Sequence, residues 1–343
     1  MLQEHGGNIQ GLSGVLDFSA NINPLGMIEG VRNAIAASAA DCAVYPDPYC
    51  SELRHALGVV LECDPDKIVC GNGAADLIYR VAHAFHPKNA LICAPTFGEY
   101  KKALEECGCC VKEHFLREEN GFALTDAFLS DLDGMDMVFL CSPNNPTGQL
   151  IDCALMDKIA GECSSRGILL VCDECFIGFV QERERFSLMN RLNEHCIVLS
   201  ALTKLYAMPG VRLGFAVCGC SNTAELISRS GQFWSVSAPA QAAGLAALAE
   251  DWYVDRTADY IKRERKYLTD ELSACGAEVF PSEANFLLIR SVPDLYERML
   301  EDNILIRKCD NFSGLGSNFF RIAIRTHDEN RCFVQSFRRC MNG

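Results

Sequence analysis

Short apolar runs, each followed by a polar or glycine-containing cluster and then by a helical pattern, recur through the first two thirds of the chain. A short strand pattern begins at Lys67, and further strand patterns span residues 90–93, 110–114, 135–140, 168–172 and 196–199; the last two are apolar enough to indicate buried strands. Strands that alternate with helices favour right-handed βαβ units and therefore a largely parallel sheet. We predict an α/β fold in which ligands bind beyond the carboxyl ends of the strands.

The last third of the chain indicates a second, smaller α/β unit. After Gly214 the pattern predicts one more strand, a helix over 221–233 and a long helical segment over 238–275 that is broken near Trp252. Three further strand patterns span 286–289, 304–306 and 319–324. We therefore expect an N-terminal arm at 1–26, a large domain at 27–232 and a small domain at 233–343. Helical spacing of apolar residues also covers 27–40 and 51–61.

Composition narrows the class of protein. The chain has 343 residues, 49% of them apolar, and a net charge of −14 without a basic stripe, which argues against nucleic acid as a partner. No run of eighteen apolar residues and no signal-peptide pattern is visible, so we expect a cytoplasmic protein without a membrane partner. Without a secretory signal we expect the 20 cysteines to be reduced and, despite the Cys107/Cys110 and Cys172/Cys175 spacings, to hold no metal.

A lysine follows one of the apolar runs closely. Lys204 comes after residues 196–199, with Thr203 before it and Arg212 eight residues later. A lysine among apolar residues loses its charge readily, because desolvation disfavours the ammonium form. A neutral amine attacks carbonyls and forms Schiff bases, and Thr203 and Arg212 could hold a phosphate. A surface lysine in a loop is the alternative interpretation of these residues alone.

Other polar clusters occupy equivalent places after strands. The glycine turn at Gly73 opens a helix, a geometry that aims free N–H groups at an anion. Asn145 lies in a loop after the run at 135–140, and Asp173 ends the run at 168–172. Near the N-terminus, His5 with two glycines is either an anion cradle or a frayed end.

Together, and in this order, these clusters resemble the fold-type I pyridoxal-phosphate (PLP) enzymes of the histidinol-phosphate aminotransferase group along nearly the whole chain. The resemblance implies a large domain with a mostly parallel seven-stranded sheet, a smaller α/β domain, a homodimer and PLP as the cofactor. It also implies that Lys204 bonds the cofactor, that Asp173 faces the ring nitrogen and that Asn145 bonds the ring oxygen. A carboxylate at that nitrogen keeps it protonated, so that the ring accepts electrons.

The resemblance assigns the remaining cofactor contacts as well. Phe97 would stack on the ring, and Tyr45, in a turn fixed by two prolines, would reach the cofactor phosphate of the partner subunit. The residues expected around the cofactor phosphate are Gly73, Ala74, Ala75, Thr203 and Arg212. One position departs from the family pattern, because the residue three before the lysine is usually a hydroxyl residue and is here Ala201, with Ser200 next to it.

Within this group, the stretches 5–8, 18–26, 202–214 and 304–326 are most similar to threonine-phosphate decarboxylases of cobalamin biosynthesis. Phe176 also fits, since the aminotransferases usually have a tyrosine there. The resemblance implies that His5 and Arg307 hold a substrate phosphate and Arg321 the carboxylate. Gly6 and Asn23 complete the expected substrate contacts. With a plain amino acid as substrate, Arg307 would be left unpaired, or else solvated or paired with a nearby acid such as Asp310.

The reaction itself stays open at this point. PLP enzymes cleave the Cα bond that lies perpendicular to the ring, and the sequence does not fix that torsion. Decarboxylation of L-threonine O-3-phosphate to aminopropanol phosphate and transamination of histidinol phosphate or another amino acid are therefore both consistent with the residues. A non-catalytic binding module is disfavoured, because Lys204, Asp173, Asn145 and Arg321 are all present. A dinucleotide oxidoreductase is disfavoured because no G-x-G-x-x-G pattern follows the first strand.

Overall fold

The computed structural model describes residues 5–342. The strands are β1 (Leu16–Asp17), β2 (Ile68–Gly71), β3 (Asn89–Ala94), β4 (Cys110–Phe115), β5 (Met137–Cys141), β6 (Leu169–Asp173), β7 (Cys196–Ala201), β8 (Gly214–Cys218), β9 (Glu278–Val279), β10 (Phe286–Arg290), β11 (Ile304–Leu305), β12 (Arg307–Lys308) and β13 (Phe319–Ala323). The helices are α1 (Glu29–Ala37), α2 (Ser51–Val60), α3 (Ala74–Phe85), α4 (Glu99–Glu106), α5 (Cys153–Arg166), α6 (Arg183–Phe186), α7 (Leu202–Leu205), α8 (Ser221–Arg229), α9 (Ala238–Leu248), α10 (Asp251–Ala274), α11 (Leu295–Glu301) and α12 (His327–Asn342).

The main sheet has seven strands in the order β2-β8-β7-β6-β5-β3-β4. Every neighbouring pair is parallel except those made by β8, which runs antiparallel to both β2 and β7. The central strands β5 and β6 are buried along their whole length, as parallel strands covered on both faces are. The predicted α/β fold with a mostly parallel sheet is confirmed.

Helices cover both faces of this sheet. Alternate residues of β5 enter different apolar clusters, with Val138 and Leu140 in one and Met137 and Phe139 in the other, as the two-residue period of a strand requires. The cluster that contains Val138 and Leu140 also includes residues of α5. That helix begins where the Asp152 carboxylate accepts hydrogen bonds from two backbone N–H groups.

A four-stranded antiparallel sheet, β12-β13-β10-β9, forms the C-terminal part of the structure. Its apolar cluster includes residues of α10, β10, β13 and α12. The N-terminal segment joins this part, because β1 pairs in parallel with β11 through Leu16 and Ile304. The domain boundaries proposed at residues 26 and 232 stay a prediction.

The helix limits differ from the predicted ones in two places. The helix predicted over 221–233 ends at Arg229, because the chain turns at Gly231 against the side chain of Arg80. A Cβ atom at Gly231 would lie 2.2 Å from Arg80 Cζ. The helix predicted over 27–40 is shorter, since Ile28 is extended and α1 ends at Ala37. The predicted break near Trp252 is confirmed, between α9 and α10.

Three general findings apply to residues 5–342. None of their helices combines the length and the apolar character needed to cross a membrane. The cysteines in this range are all free thiols, and no group of three or more His, Cys, Asp or Glu side chains in it is arranged to hold a metal ion. The cytoplasmic location stays a prediction.

Candidate active site

The polar clusters singled out in the sequence meet at one edge of the main sheet. The carboxyl ends of β2, β3, β5, β6 and β7 lie at this edge, and so does the amino end of β8, because that strand is antiparallel. The side chains or turns that follow or precede these strand ends belong to Gly73, Phe97, Asn145, Asp173, Lys204 and Arg212. The sheet topology therefore assembles a site at the place where open α/β sheets bind ligands.

Lys204 lies in the short helix α7, directly after β7, and is half-buried. Burial lowers the pKa of Lys204 below the usual value for lysine. The charges of Arg212 and Arg321 lower it further, while Cys175 and Asp173 act in the opposite direction. A larger fraction of its amine is therefore neutral at a given pH than in an exposed lysine, which is the form that attacks a carbonyl carbon.

Asp173 ends β6, is 5% exposed and is held at both carboxylate oxygens. Tyr100 Oη donates to Oδ2 at 2.7 Å, and the backbone N–H of Cys175 donates to Oδ1 at 2.9 Å. Within residues 5–342, the structure contains no Lys, Arg or His side chain in a salt bridge with Asp173. A buried carboxylate without a cationic partner is costly, so the site fits a ligand that brings a protonated ring nitrogen.

A second part of the site fits a phosphate. Gly73 precedes α3 with a φ of 85°, and a Cβ atom there would lie 2.5 Å from Arg212 Nη2. The guanidinium of Arg212 therefore lies directly against the N-terminal turn of the helix, which begins at Ala74. A helix N-terminus and a guanidinium are both positive and both donate hydrogen bonds, so an anion between them relieves their repulsion. Ala75 continues this turn, and Thr203 is buried beside Lys204.

Arg321, in β13, contacts the loop that carries Asn145. Its Nη1 donates to Asn145 Oδ1, its Nη2 donates to the carbonyl of Ser19 at 2.8 Å, and its Nε has no hydrogen-bond partner within the described residues. Burial lowers the pKa of Arg321 to about 10. The neighbouring Cys309 and Asp17 act to raise this pKa, whereas the charge of Arg307 lowers it further. Arg321 is thus a cation at neutral pH with a donor still available, as an anion-binding side chain requires.

Arg307 lies beside Arg321 on the neighbouring strand β12, in register with it. The two side chains are 2% and 6% exposed. Arg307 Nη2 donates to Asn311 Oδ1 at 2.7 Å, Nη1 donates to the carbonyl of Lys308, and the guanidinium lies 5.4 Å from the ring centre of Phe312. The expectation that Arg307 would lack partners without a substrate anion is therefore wrong, because the loop after β12 supplies them.

The N-terminal arm crosses this part of the site. Gly6 lies against the carbonyl of Ser19, where a Cβ atom would approach the oxygen to 2.1 Å. His5 Nε2 lies 2.9 Å from Glu99 Oε1, and its ring centre is 5.7 Å from that of Phe97. The arm is thus close to the residues predicted to bind substrate, although the partner of His5 in this structure is a carboxylate. The phosphate-binding role of His5 stays a prediction.

Two of the predicted site residues have other contacts in the structure. Both N–H groups of the Asn23 amide are used within the chain, by the carbonyl of Leu205 at 2.7 Å and by Thr257 Oγ1 at 2.8 Å. Asn23 therefore positions the helix of Lys204, and the direct substrate contact predicted for it stays a prediction. Tyr45 is 78% exposed and stacks on Trp234 with ring centres 4.5 Å apart. Its contact with a partner subunit stays a prediction.

The sequence interpretation missed Tyr100, whose hydroxyl binds Asp173. Tyr100 lies three residues after Phe97, at the start of α4, and the two rings meet edge to face at 5.6 Å. This spacing places both rings on one side of the helix start. An aromatic pair directly after a strand end was the available signal, but it is equally typical of a packed core.

The fold and these contacts fit a PLP-binding enzyme site, because a lysine, a buried carboxylate and a helix start that suits a phosphate meet at one sheet edge. The chain belongs to the family described as aminotransferase class I and II, which it matches over residues 13–337, and it is a PLP-dependent enzyme.

Two relatives and one solved structure illustrate the similarity. Threonine-phosphate decarboxylase of Salmonella typhimurium is 38% identical over 99% of this chain and 97% of its own length. A putative threonine-phosphate decarboxylase of Caldanaerobacter subterraneus is 33% identical over 98% and 93%. The crystal structure of histidinol-phosphate aminotransferase from Clostridium acetobutylicum superposes with a TM-score of 0.90 at 30% identity, covering 96% of this chain and 99% of that one.

Proposed function

We propose that this chain decarboxylates L-threonine O-3-phosphate to aminopropanol phosphate, in the formation of cobalamin. The observation that carries the proposal is the pair of buried arginines, Arg307 and Arg321, in register on adjacent strands. The full-length similarity to two relatives that are named for this reaction supports it.

The arginine pair suits a substrate with two anionic groups. Two buried guanidinium groups on neighbouring strands repel each other, and the charge of Arg307 contributes to the lowered pKa of Arg321. A substrate that brings one anion to each arginine relieves this repulsion and offsets the cost of burying the two cations. A carboxylate at Arg321 and a phosphate at Arg307 match the two anions of threonine phosphate.

The cofactor would be held by the residues at the sheet edge. Asp173 would hold the protonated ring nitrogen, Asn145 the ring oxygen, and Lys204 would bond the carbonyl carbon. The turn at Gly73 and the guanidinium of Arg212 would hold the phosphate. Bound PLP supplies an electron sink for the electron pair left on the substrate's Cα when one of its bonds breaks.

The residues of this chain would then decide which bond breaks. Arg321 holds the carboxylate and Arg307 holds the phosphate, so that two anchors fix the rotation of the substrate about Cα. When the bond between Cα and the carboxylate is the one aligned for cleavage, carbon dioxide leaves and its bonding electrons remain on the substrate. Lys204 Nζ, as an ammonium, then donates a proton to Cα, which gives the phosphorylated amine.

Phe176 is consistent with decarboxylation. Its ring is 6% exposed and meets Phe286 edge to face at 5.0 Å. The similar aminotransferases usually have at this position a tyrosine that bonds the cofactor's ring oxygen. A phenylalanine removes that donor and leaves Asn145 as the predicted partner of the ring oxygen.

Transamination of histidinol phosphate, or of an amino acid, is the second candidate. It is favoured by the close superposition on a histidinol-phosphate aminotransferase. The same residues would bind the cofactor, and Lys204 would remove the proton from Cα instead of returning one.

We also propose that two copies of the chain form a homodimer. Exposed aromatic side chains cluster on one surface, and they are Tyr45, Tyr49, Phe233 and Trp234. Their rings are packed on one another, with Tyr45 stacked on Trp234 and Tyr49 edge-on to Phe233. A contiguous exposed aromatic surface of this kind marks a protein interface. A second copy covering it would place Tyr45 near the cofactor phosphate of that copy.

The direct test is to supply the PLP-loaded protein with threonine phosphate and to measure carbon dioxide release. In parallel, histidinol phosphate with 2-oxoglutarate tests amino transfer. We expect carbon dioxide and a phosphorylated amine in equal amounts, and slow amino transfer by comparison. Rapid amino transfer from histidinol phosphate without carbon dioxide release from threonine phosphate would favour the second candidate.

A further inference from the structure

Tyr100 is a buried tyrosine that connects two parts of the predicted cofactor site. It is 0% exposed, and its ring stacks on Phe139 with centres 5.3 Å apart. Its other contacts are the edge of Phe97 at 5.6 Å and the carboxylate of Asp173, to which its hydroxyl donates at 2.7 Å. Two aromatic contacts fix the ring plane, and the position of the hydroxyl follows from that plane.

The hydroxyl of Tyr100 acts only as a hydrogen-bond donor toward Asp173. Burial and the nearby charge of Asp173 raise the pKa of Tyr100 well above the usual value for tyrosine. The hydroxyl therefore stays protonated throughout the working pH range of an enzyme. Because an ionised carboxylate only accepts hydrogen bonds, the proton points from Tyr100 to Asp173.

The carboxylate of Asp173 is consequently fixed in its plane. The Tyr100 hydroxyl holds Oδ2, and the backbone N–H of Cys175 holds Oδ1. The backbone contact is built into the turn after β6, whereas the contact with Tyr100 comes from a helix 73 positions earlier in the chain. Of the two bonds, only the one from Tyr100 can be removed by a side-chain substitution.

We propose that Tyr100 is a positioning residue for PLP, which holds Asp173 at the angle that the ring nitrogen requires and supports Phe97 against the ring face. This inference rests on the part of the proposed function that places PLP in the site. It applies equally to decarboxylation and to transamination. A side chain that is already held in place by a second residue binds a ligand more tightly, because it loses less conformational freedom when the ligand binds.

The test is Tyr100→Phe, which keeps the aromatic packing and removes the hydroxyl. PLP is titrated into the cofactor-free protein, and the dissociation constant is read from the quenching of intrinsic fluorescence. We expect binding up to about tenfold weaker. This is less than the full value of a hydrogen bond to a charged group, because the bond is present in the cofactor-free protein as well and only its positioning of Asp173 is lost. Tyr79→Phe is the matched control, because the Tyr79 hydroxyl also donates to a carboxylate, Glu99 Oε2, at 2.9 Å, and we expect its PLP affinity to be unchanged.

A double-mutant cycle with Asp173→Asn separates positioning from a general structural effect. We expect Tyr100→Phe to weaken PLP binding when Asp173 is present and to have little further effect in the variant that already carries Asp173→Asn. An equal loss in both backgrounds, or no loss in either, would overturn the proposal. The pH dependence of the absorbance of bound PLP should also shift in Tyr100→Phe and not in Tyr79→Phe. Failure of the unmodified protein to bind PLP would instead count against the proposed function.

Discussion

Replacing Arg307 with glutamine should reduce activity selectively toward phosphorylated substrates. Arg307 is 2% exposed, so water does not screen its charge and the full value of a charge-assisted hydrogen bond applies. That value is about 2–3 kcal/mol, which corresponds to a factor of about 30 to 150 in kcat/KM. The repulsion with Arg321 disappears at the same time, so we expect the loss to lie toward the lower end of the range.

The assay compares kcat/KM for threonine phosphate and for unphosphorylated threonine. Glutamine keeps a hydrogen-bond donor in this buried position without the charge, and the melting temperature without substrate checks that the loop after β12 keeps its conformation. Arg325→Gln is the control, because Arg325 pairs with Glu329 at 2.8 Å beyond the end of β13 and should retain full activity. Equal proportional losses on both substrates, or no loss on either, would refute the assignment of Arg307 to the phosphate.

Three further outcomes are expected. Gly73→Ala should weaken PLP binding, because it forces a side chain into a φ of 85° and against Arg212, a strain of about 1–3 kcal/mol; unchanged affinity in a fluorescence titration would contradict this. Burial raises the pKa of Glu174 from 4.5 to about 7, so the folded state binds a proton more tightly than the unfolded state. This contribution, about 3 kcal/mol, is fully present below pH 4.5 and is lost as the pH rises through 7. Glu174→Gln should therefore raise the free energy of unfolding at pH 8 but not at pH 4.5, as urea denaturation would measure. Tyr45→Ser combined with Trp234→Ser should shift the protein toward monomers in light scattering, and a fully active, monomeric unmodified protein would disprove the dimer.

Much of the fold could be predicted because its signals are local. Except for the edge strand β4, which contains Lys112, Glu113 and His114, the strands of the main sheet are mostly apolar runs. Each is followed by a turn or a helix start, so their existence and order can be read from the chain. The shortest strands could not be predicted from the sequence. Glu278–Val279 in β9 and Leu16–Asp17 in β1 are defined by the strands they pair with, and nothing in two residues indicates that pairing.

The same distinction applies to the site. Lys204 and Asp173 could be predicted because Lys204 follows β7 and Asp173 ends β6, and the carboxyl ends of these two strands share one edge. The partners of these residues were not predictable, since they come from distant parts of the chain. Asn23 binds Leu205, which is 182 positions away, and Tyr100 binds Asp173 across 73 positions. For such contacts the sequence shows only the residue types, and the fold decides which of them meet.

The most direct test of the central claim is the mass of the product formed from threonine phosphate in heavy water. If Arg307 and Arg321 orient the substrate for loss of carbon dioxide and Lys204 returns a proton to Cα, the product is aminopropanol phosphate with one non-exchangeable deuterium for each carbon dioxide released. Formation of a phosphorylated oxo acid, with the amino group transferred to the cofactor and the carboxylate retained, would contradict the account.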